Sequence, residues 1–584
     1  MCGIAGYLSF NTNPVQEPLL KRMTDVIAHR GPDGEGHWTN KSRKIGFGHR
    51  RLSIIDLSEN GKQPLHYSEG RYTITFNGEI YNYIEIKNEL LKKGYKFSSE
   101  SDTEVLLALY DLKKENCLAD LDGMFSFAIW DEKEQTLFCA RDRFGEKPFH
   151  YYADGEKFLF ASEIKQFWPA GIIKRLDNDK LYHYATTGVI ETKETLTETF
   201  YNGIKKLDAA HYLTIDAASN IKIVNYWKID REAPAFKGSI EQAAEKFLHL
   251  FTEAIRLRLR SDVPVGSSLS GGLDSSSIVM LIDALKGEQL NQNTFSARFK
   301  NFAKDEGKYV EEVVKKCKNV TVHYTWPDAD YFEKVLEKVV DAQDEPFGSA
   351  SIVAQYAVME IAKQNNVTVL LDGQGADEEL AGYLPYYSIY LDKLFYTNHN
   401  LFKKERESFN KFHGAVTNYK EPIHAETFRM KLGRYRRMIT GQHSYFDKIL
   451  NDRLINDTSV NGLKELLRYA DRNSMAHSRE VRLPFLSHKL VEFIFSLPDE
   501  YKLNNGWTKF VLRKAMNNIL PNDICWRVDK IGYEPPQKEW LKNGKYHARV
   551  VKAAKELTIP LEANINPANM FTQEWRLLMA SYYL

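Results

Sequence analysis

Cys2 follows the initiator directly, in Met1-Cys2-Gly3-Ile4-Ala5-Gly6. Removal of Met1 would leave a thiol and a free α-amine on the same carbon. A free thiol titrates near about 8.5 and an α-amine near about 7.7–8.0, so at neutral pH part of the amine can draw the proton from the sulfur. One residue then supplies both nucleophile and base. Position alone describes an ordinary small residue entering a strand equally well, so the rest of the chain has to decide.

A second set of residues could handle phosphate. Leu269-Ser270-Gly271-Gly272-Leu273-Asp274-Ser275-Ser276-Ser277 joins a strand-like run to an apolar, helix-like one. Glycines let the backbone curl round an anion, while hydroxyls and helix N-terminal amides supply donors. The Lys-Ser/Thr ending of a Walker loop is missing. Asp274 inside such a loop suits a ligand for Mg²⁺. A second string, Leu371-Asp372-Gly373-Gln374-Gly375-Ala376-Asp377-Glu378-Glu379, again runs from strand to helix. Asp377 could give the ion a second oxygen, although the helix dipole favours acidic first turns in any case.

The elements that must position these residues fall into two textures. Up to about residue 215, short runs rich in β-branched and aromatic residues occupy 4–10, 44–48, 72–76, 125–130, 136–140 and 158–162. Polar turns separate some of them, which predicts antiparallel pairing. Two helix-like stretches, 18–28 and 104–113, carry apolar residues on a 3.6 period. Layered sheets flanked by helices are expected. Residues 216–235 read as a connector. From 236 to 584, helices alternate with strand-like runs at 263–269, 293–299, 320–326 and 367–371. Ala244, Phe247, Leu248, Phe251 and Ile255 share one helix face. That alternation predicts a parallel sheet with crossover helices, whose ligands bind at the carboxyl ends of the strands.

Composition narrows the function class. A chain of 584 residues needs more than one core. Hydrophobic content of 43% and charged content of 27% are those of a globular protein. A net charge of +1 supplies no field that favours nucleic acid or an anionic membrane. No apolar run approaches the roughly 18 residues that span a bilayer, and the N-terminus lacks the order of a signal peptide. Cys2, Cys117, Cys139, Cys317 and Cys525 are odd in number and widely spaced, which indicates neither a disulfide framework nor a CxxC metal site. A reduced, cytoplasmic setting is expected.

The ordered motifs resemble a family. Cys2-Gly3-Ile4-Ala5-Gly6, His29-Arg30-Gly31-Pro32-Asp33, Arg51-Leu52-Ser53-Ile54-Ile55-Asp56, Asn77-Gly78-Glu79-Ile80-Tyr81-Asn82 and Ser101-Asp102-Thr103-Glu104 resemble the glutaminase half of glutamine-hydrolysing asparagine synthetase. The loop at 270–276, Arg479-Glu480-Val481-Arg482-Leu483-Pro484-Phe485-Leu486 and Thr508-Lys509-Phe510 resemble its synthetase half. The matches run from residue 2 to about 535.

The resemblance implies a four-layer αββα N-terminal-nucleophile hydrolase sandwich followed by an α/β parallel-sheet domain of the pyrophosphatase-loop type. Cys2 would attack the glutamine carboxamide and form a γ-glutamyl thioester. Asn77 and the amide of Gly78 would hold the oxyanion, a donor of that kind being worth about 2.7–4 kcal/mol. Arg51 would grip the α-carboxylate and Asp102 the α-amine, with Leu52, Ser53, Ile54, Ile55 and Glu79 completing the glutamine site. In the second half, Leu269, Ala297, Asp372 and Gly373 would border adenine and ribose of ATP. Ser270, Gly271, Gly272, Ser275 and Ser276 would enclose the pyrophosphate. Asp274 and Asp377 would hold Mg²⁺, and Lys509 would balance charge at the α-phosphorus. Aspartate would become an acyl-adenylate, attacked by ammonia that travels inside the protein from Cys2. The partners expected are glutamine, ATP and aspartate or another carboxylate, with neither nucleic acid nor membrane, and with room for a homodimer.

Two departures bear on the acceptor. Where the family's second loop typically carries Glu and Ser, this chain has Gln374 and Asp372. The stretch 386–465 is long and rich in aromatic and basic residues, as in Arg434-Tyr435-Arg436-Arg437. A helical insertion there could enclose a larger or anionic acceptor, or simply pack. Three readings follow: asparagine synthetase, a related amidotransferase acting on a cell-wall or surface-polysaccharide carboxylate, and a non-catalytic glutamine- or nucleotide-binding regulator. Intact Cys2, Asn77, Asp274, Asp377 and Lys509 speak against the last. A tRNA-thiolating enzyme would need the basic surplus that this chain lacks.

Overall fold

The structure, a computed structural model, describes residues 2–286, 291–414, 419, 445–528, 534–541, 544–561 and 572–584. The N-terminal part is built from two six-stranded antiparallel sheets. Across the first, the strands lie in the order Ile204–Lys206, His150–Ala153, Lys157–Ala161, Gly3–Ser9, Ile45–Arg51, Gly34–Thr39. Across the second the order is Ile221–Asn225, His211–Ile215, Thr136–Arg141, Gly123–Asp131, Tyr72–Ile80, Leu65–Tyr67. The last strand of this sheet, Ile221–Asn225, pairs with His211–Ile215 and so lies within the stretch read above as a connector.

Period-two patterning explains why the sheets stack. In Gly123–Asp131, Phe125, Phe127 and Ile129 face a core shared with the helices Tyr83–Lys92 and Asp102–Lys113. Ala128 and Trp130 of the same strand face the core between the sheets, which they share with Ile4, Leu8, Phe47 and Phe160. Successive side chains point to opposite faces of a strand, so both faces are apolar and both are covered. Helix Glu17–Asp25 packs on the outer face of the first sheet, and the result is the αββα layering. Several strands of the first sheet, such as Gly34–Thr39, are half-exposed and carry no strong apolar run.

The C-terminal part centres on a parallel five-stranded sheet. Its strand order is Val320–Thr325, Gln292–Ala297, Val265–Ser268, Val369–Leu371, Glu480–Arg482. The chain builds outward from Val265–Ser268 on one side, then returns to add Val369–Leu371 on the other. That reversal is a topological switch point, where ligands of open α/β sheets bind. The sequence shows four of these five strands. The fifth, Glu480–Arg482, is too short for periodicity to reveal. In the 386–465 stretch, helices Leu384–Thr397, His399–His413 and Tyr445–Ser459 match the helical expectation. Its Arg434-Tyr435-Arg436-Arg437 run lies outside the described residues. Among the described residues, no helix is long and apolar enough to cross a membrane.

Buried ion pairs join the two parts. The Arg30 guanidinium donates to Glu163 at 2.9 Å and to both oxygens of Asp471 at 2.8 and 3.0 Å. Arg472 reaches Glu163 at 3.0 Å and Asp344 at 3.3 Å. Burial alone would raise the Asp471 carboxyl, but Arg30 outweighs it and holds the pKa below the ordinary value. Such a pair is costly to break because its partner charge stays behind in a dry site. Asp471→Ala is therefore expected to destabilise the assembled chain by about 3 kcal/mol. Glu85→Ala, which removes the half-exposed partner of Arg260, should cost less than about 1 kcal/mol. Denaturant unfolding of the two variants side by side checks the difference.

Candidate active sites

Cys2 stands at the start of the strand Gly3–Ser9, almost fully buried at 8% exposure. Its backbone N–H donates to Asn77 Oδ1 at 2.9 Å and its carbonyl accepts from Arg30 Nε at 3.0 Å. The thiol lies 4.0 Å from the Leu52 carbonyl. Burial pushes the thiol above its ordinary pKa, so a thiolate is not preformed and a neighbouring base must take the proton.

Asn77 and Gly78 belong to Tyr72–Ile80. The Asn77 amide nitrogen reaches only Ser126 Oγ, at 3.5 Å. The N–H of Phe76 donates to Gln63 Oε1 at 2.7 Å and that of Ile80 to Asp102 Oδ2 at 2.9 Å, both away from the paired strand Gly123–Asp131. Alternation along the strand points the Gly78 N–H the same way, between these two. Glycine is required there, because a Cβ would stand 2.2 Å from the Met124 carbonyl oxygen. Beside it, Asp102 opens the helix Asp102–Lys113, and burial pushes its carboxyl up to about 6. The Glu79 carboxylate, also buried, reaches Arg482 at 3.3 Å across the domain boundary.

The loop after Ile45–Arg51 lies beside the Cys2 thiol. Arg51 spends its guanidinium on the backbone carbonyls of Asp56 and, at 2.9 Å, Ser58. The Ser53 N–H donates to Asp33 at 2.8 Å. Leu52 and Ile54, with Ile55 beside them, join Tyr81 and Met124 in an apolar cluster with Val369 and Met475 of the second part. Cys2, Arg51–Ile55, Asn77–Glu79 and Asp102 thus gather around the nucleophile.

The second site lies at the switch point, in a cavity of about 850 Å³. Strands Val265–Ser268 and Val369–Leu371 are hydrogen-bonded neighbours, so the loops leaving their carboxyl ends face one another. Gly271 adopts a left-handed φ of +76°, open to glycine at no steric cost. The Gly272 N–H donates to Ser270 Oγ at 3.3 Å, and Ser270 and Ser275 hydroxyls lie 3.1 Å apart. Leu269, Ala297, Asp372 and Gly373 line the cavity, as do Asp274 and Asp377. Ser276 is fully buried behind the loop.

Lys509, from the opposite wall, sets its ammonium 2.5 Å from Asp274 and 2.6 Å from Asp377. Burial would lower its pKa, but the two carboxylates outweigh that and raise it. Among the described residues no group of three or more His, Cys, Asp and Glu is arranged to hold a metal. Two carboxylates converging on one point nevertheless fit a Mg²⁺ ion whose other ligands are water and phosphate oxygens.

Over residues 1–227 the chain matches the glutamine amidotransferase domain family, and over 246–576 the asparagine synthase family. It belongs to the glutamine-hydrolysing asparagine synthetases. Asparagine synthetase (glutamine-hydrolyzing) 1 of Bacillus subtilis (strain 168) is 34% identical, covering 93% of this chain and 88% of its own. Asparagine synthetase (glutamine-hydrolyzing) 3 of the same strain is 33% identical over 95% and 91%. Amidase chry2 of Gibberella zeae is 27% identical over 94% and 91%.

Some of the family chain's cavity residues carry no motif that singles them out. Arg527 pairs with Glu306 at 2.8 Å, stacks on Tyr309 and approaches the Gly271 carbonyl at 3.4 Å, bracing the first loop. Glu378 accepts from Tyr383 at 2.7 Å. Helix Leu463–Ala476 buries Asp471, Arg472, Asn473 and Ser474 in succession.

Removing the central ammonium tests whether the two carboxylates share an ion. Lys509→Met is expected to lower stability by about 3 kcal/mol, since Asp274 and Asp377 then lose the ammonium that they share. Added Mg²⁺ should restore more of it in the variant than in the parent chain, read by calorimetry. A variant indifferent to Mg²⁺ refutes a shared ion.

Proposed function

We propose that the chain hydrolyses glutamine at Cys2 and uses the ammonia to amidate aspartate, activated by ATP as an acyl-adenylate, with AMP, pyrophosphate and glutamate as products. One observation carries this reading. Helix Leu463–Ala476 holds Arg30, and through it the Cys2 carbonyl, by Asp471, and lines the second cavity by Glu465, Leu466 and Tyr469. A nitrogen source and an activating site sharing one wall suit transfer of free ammonia, which must stay away from water because ammonium is no nucleophile.

In the glutaminase half, loss of Met1 turns the Cys2 nitrogen into an α-amine that Asn77 Oδ1 already holds at 2.9 Å. That amine takes the thiol proton, and the thiolate adds to the carboxamide. The Gly78 N–H and the weakly engaged Asn77 amide nitrogen receive the oxyanion. Asp102 and Glu79 receive the substrate ammonium, and the Arg51 donors not taken by the Asp56 and Ser58 carbonyls receive its carboxylate. In the other half, Ser270, Gly271, Gly272 and Ser275 surround the pyrophosphate, with Ser276 buried behind them, and Lys509 steadies charge at the reacting phosphorus. Mg²⁺ bound between Asp274 and Asp377 would neutralise charge on the leaving pyrophosphate.

A second reading, amidation of another carboxylate, is favoured by Gln374 and by the cavity wall that Arg453 and Asp457 of helix Tyr445–Ser459 supply. A screen of carboxylic acids by pyrophosphate release under saturating Mg·ATP separates the two. Aspartate is expected to give the fastest release, and no stimulation by aspartate excludes the first reading.

Cys2→Ala should abolish glutamine use while leaving synthesis from added ammonia; loss of both contradicts two separate sites. The glutamine KM should depend on pH through Asp102, whose carboxyl must be ionised to receive an ammonium. With its pKa near 6, KM should be flat above that pH and rise about tenfold per unit below it. Asp102→Asn should raise KM and erase that limb, which steady-state glutaminase assays would read.

A further inference from the structure

Amide formation at the second site needs a proton acceptor, because the attacking nitrogen must shed a proton as it bonds to carbon. Gln374 lines the cavity with its Oε1 buried and unpartnered. That oxygen can accept a hydrogen bond but holds no proton at neutral pH. The carboxylates of the cavity wall are mostly committed elsewhere. Asp274 and Asp377 flank Lys509. Asp457 holds Tyr386 at 2.8 Å and Arg453 at 2.7 Å. Glu378 accepts from Tyr383 at 2.7 Å and Asp372 from the Gly373 N–H at 2.7 Å. Glu306 and Glu534 are paired with Arg527 and Lys304.

Glu465 differs. Among the described residues its one hydrogen bond is a long contact, 3.4 Å, from the Tyr469 hydroxyl one turn on. The neighbouring cation, Arg468, gives its guanidinium to Glu345 at 3.1 Å and to the Pro346 carbonyl at 2.5 Å instead. Glu465 also stands where nitrogen would arrive. It opens into the cavity near the start of Leu463–Ala476, while Met475, ten residues on and about 15 Å along the axis, packs against Leu52 beside Cys2.

We propose that Glu465 is the proton acceptor for amide formation, a role that Gln374 cannot fill. The inference rests on the reading of the second site given above. As the nitrogen lone pair forms the C–N bond, the acyl C–O bond breaks and AMP leaves with its electron pair. One N–H proton passes to a Glu465 carboxylate oxygen. Burial pushes Glu465 up to about 7, against the lowering by Arg468, with Glu191 adding to the rise and Lys206 opposing it. A base is most effective when its pKa lies near the working pH.

Rapid-quench kinetics with Mg·ATP, the best acceptor and ammonium chloride tests this. Glu465→Gln should keep a pyrophosphate burst like that of the parent chain, then turn over at least about 100-fold more slowly, with acyl-adenylate accumulating. At a fixed concentration of free ammonia, the parent's acidic limb near pH 7 should vanish. Unchanged turnover in Glu465→Gln overturns the assignment. So does loss of the burst with a raised acceptor KM, which would make Glu465 a binding group for the acceptor. Absence of any burst in the parent chain overturns the reading of the site itself.

Discussion

The Arg30 guanidinium is wholly shielded from water, and its donors hold three separate parts of the molecule. One fixes the Cys2 carbonyl, one the Glu163 carboxylate, and two grip Asp471 in the other half of the chain. A buried charge is tolerated only when its partners are well placed. The position of the nucleophile and the docking of the halves are thereby one condition. Arg472 extends it, tying Glu163 to Asp344, whose same Oδ2 also accepts from the Ile164 N–H at 2.9 Å.

The second site obeys a similar rule with the signs exchanged. Two carboxylates at the carboxyl ends of neighbouring strands are held together by one ammonium. The cation comes from a left-handed residue at the head of a short helix, Lys509 at φ 51°, so its stem enters from the wall opposite the loops. Leu52, Ile54, Tyr81 and Met124 of the first part form one apolar cluster with Val369 and Met475 of the second, so hydrocarbon as well as charge joins the two halves.

Much of the architecture was legible beforehand. Strands with strong period-two patterning, such as Gly123–Asp131, and those bounding the glycine-rich loops were readable from apolar spacing alone. Short strands such as Glu480–Arg482 were not, because three residues carry no period and their place is set by the neighbour Val369–Leu371. Among site residues, Cys2, Asn77, Gly78, Asp102, Asp274, Asp377 and Lys509 stood out by motif, and they gather into two pockets. Arg51 was legible as a cation, yet its guanidinium braces the loop carbonyls of Asp56 and Ser58. Glu465, Arg527 and the Asp471–Arg472 pair were invisible, since ordinary charged residues on helices look solvated until packing buries them.

By itself the sequence determined the kinds of chemistry present: a leading thiol, two glycine-rich loops with acids, and an alternation of strands and helices that delivers loops to one edge of a parallel sheet. Those follow from side-chain type and short-range periodicity, which are local properties of the chain. Only the tertiary structure decided which charges meet. Arg30 and Asp471 lie 441 positions apart, and Lys509 and Asp274 are separated by 235. Contacts at such separations leave no periodic trace, because they depend on how whole layers dock. It is burial, a property of the assembled fold, that turns an ordinary arginine, aspartate or glutamate into a group with a function.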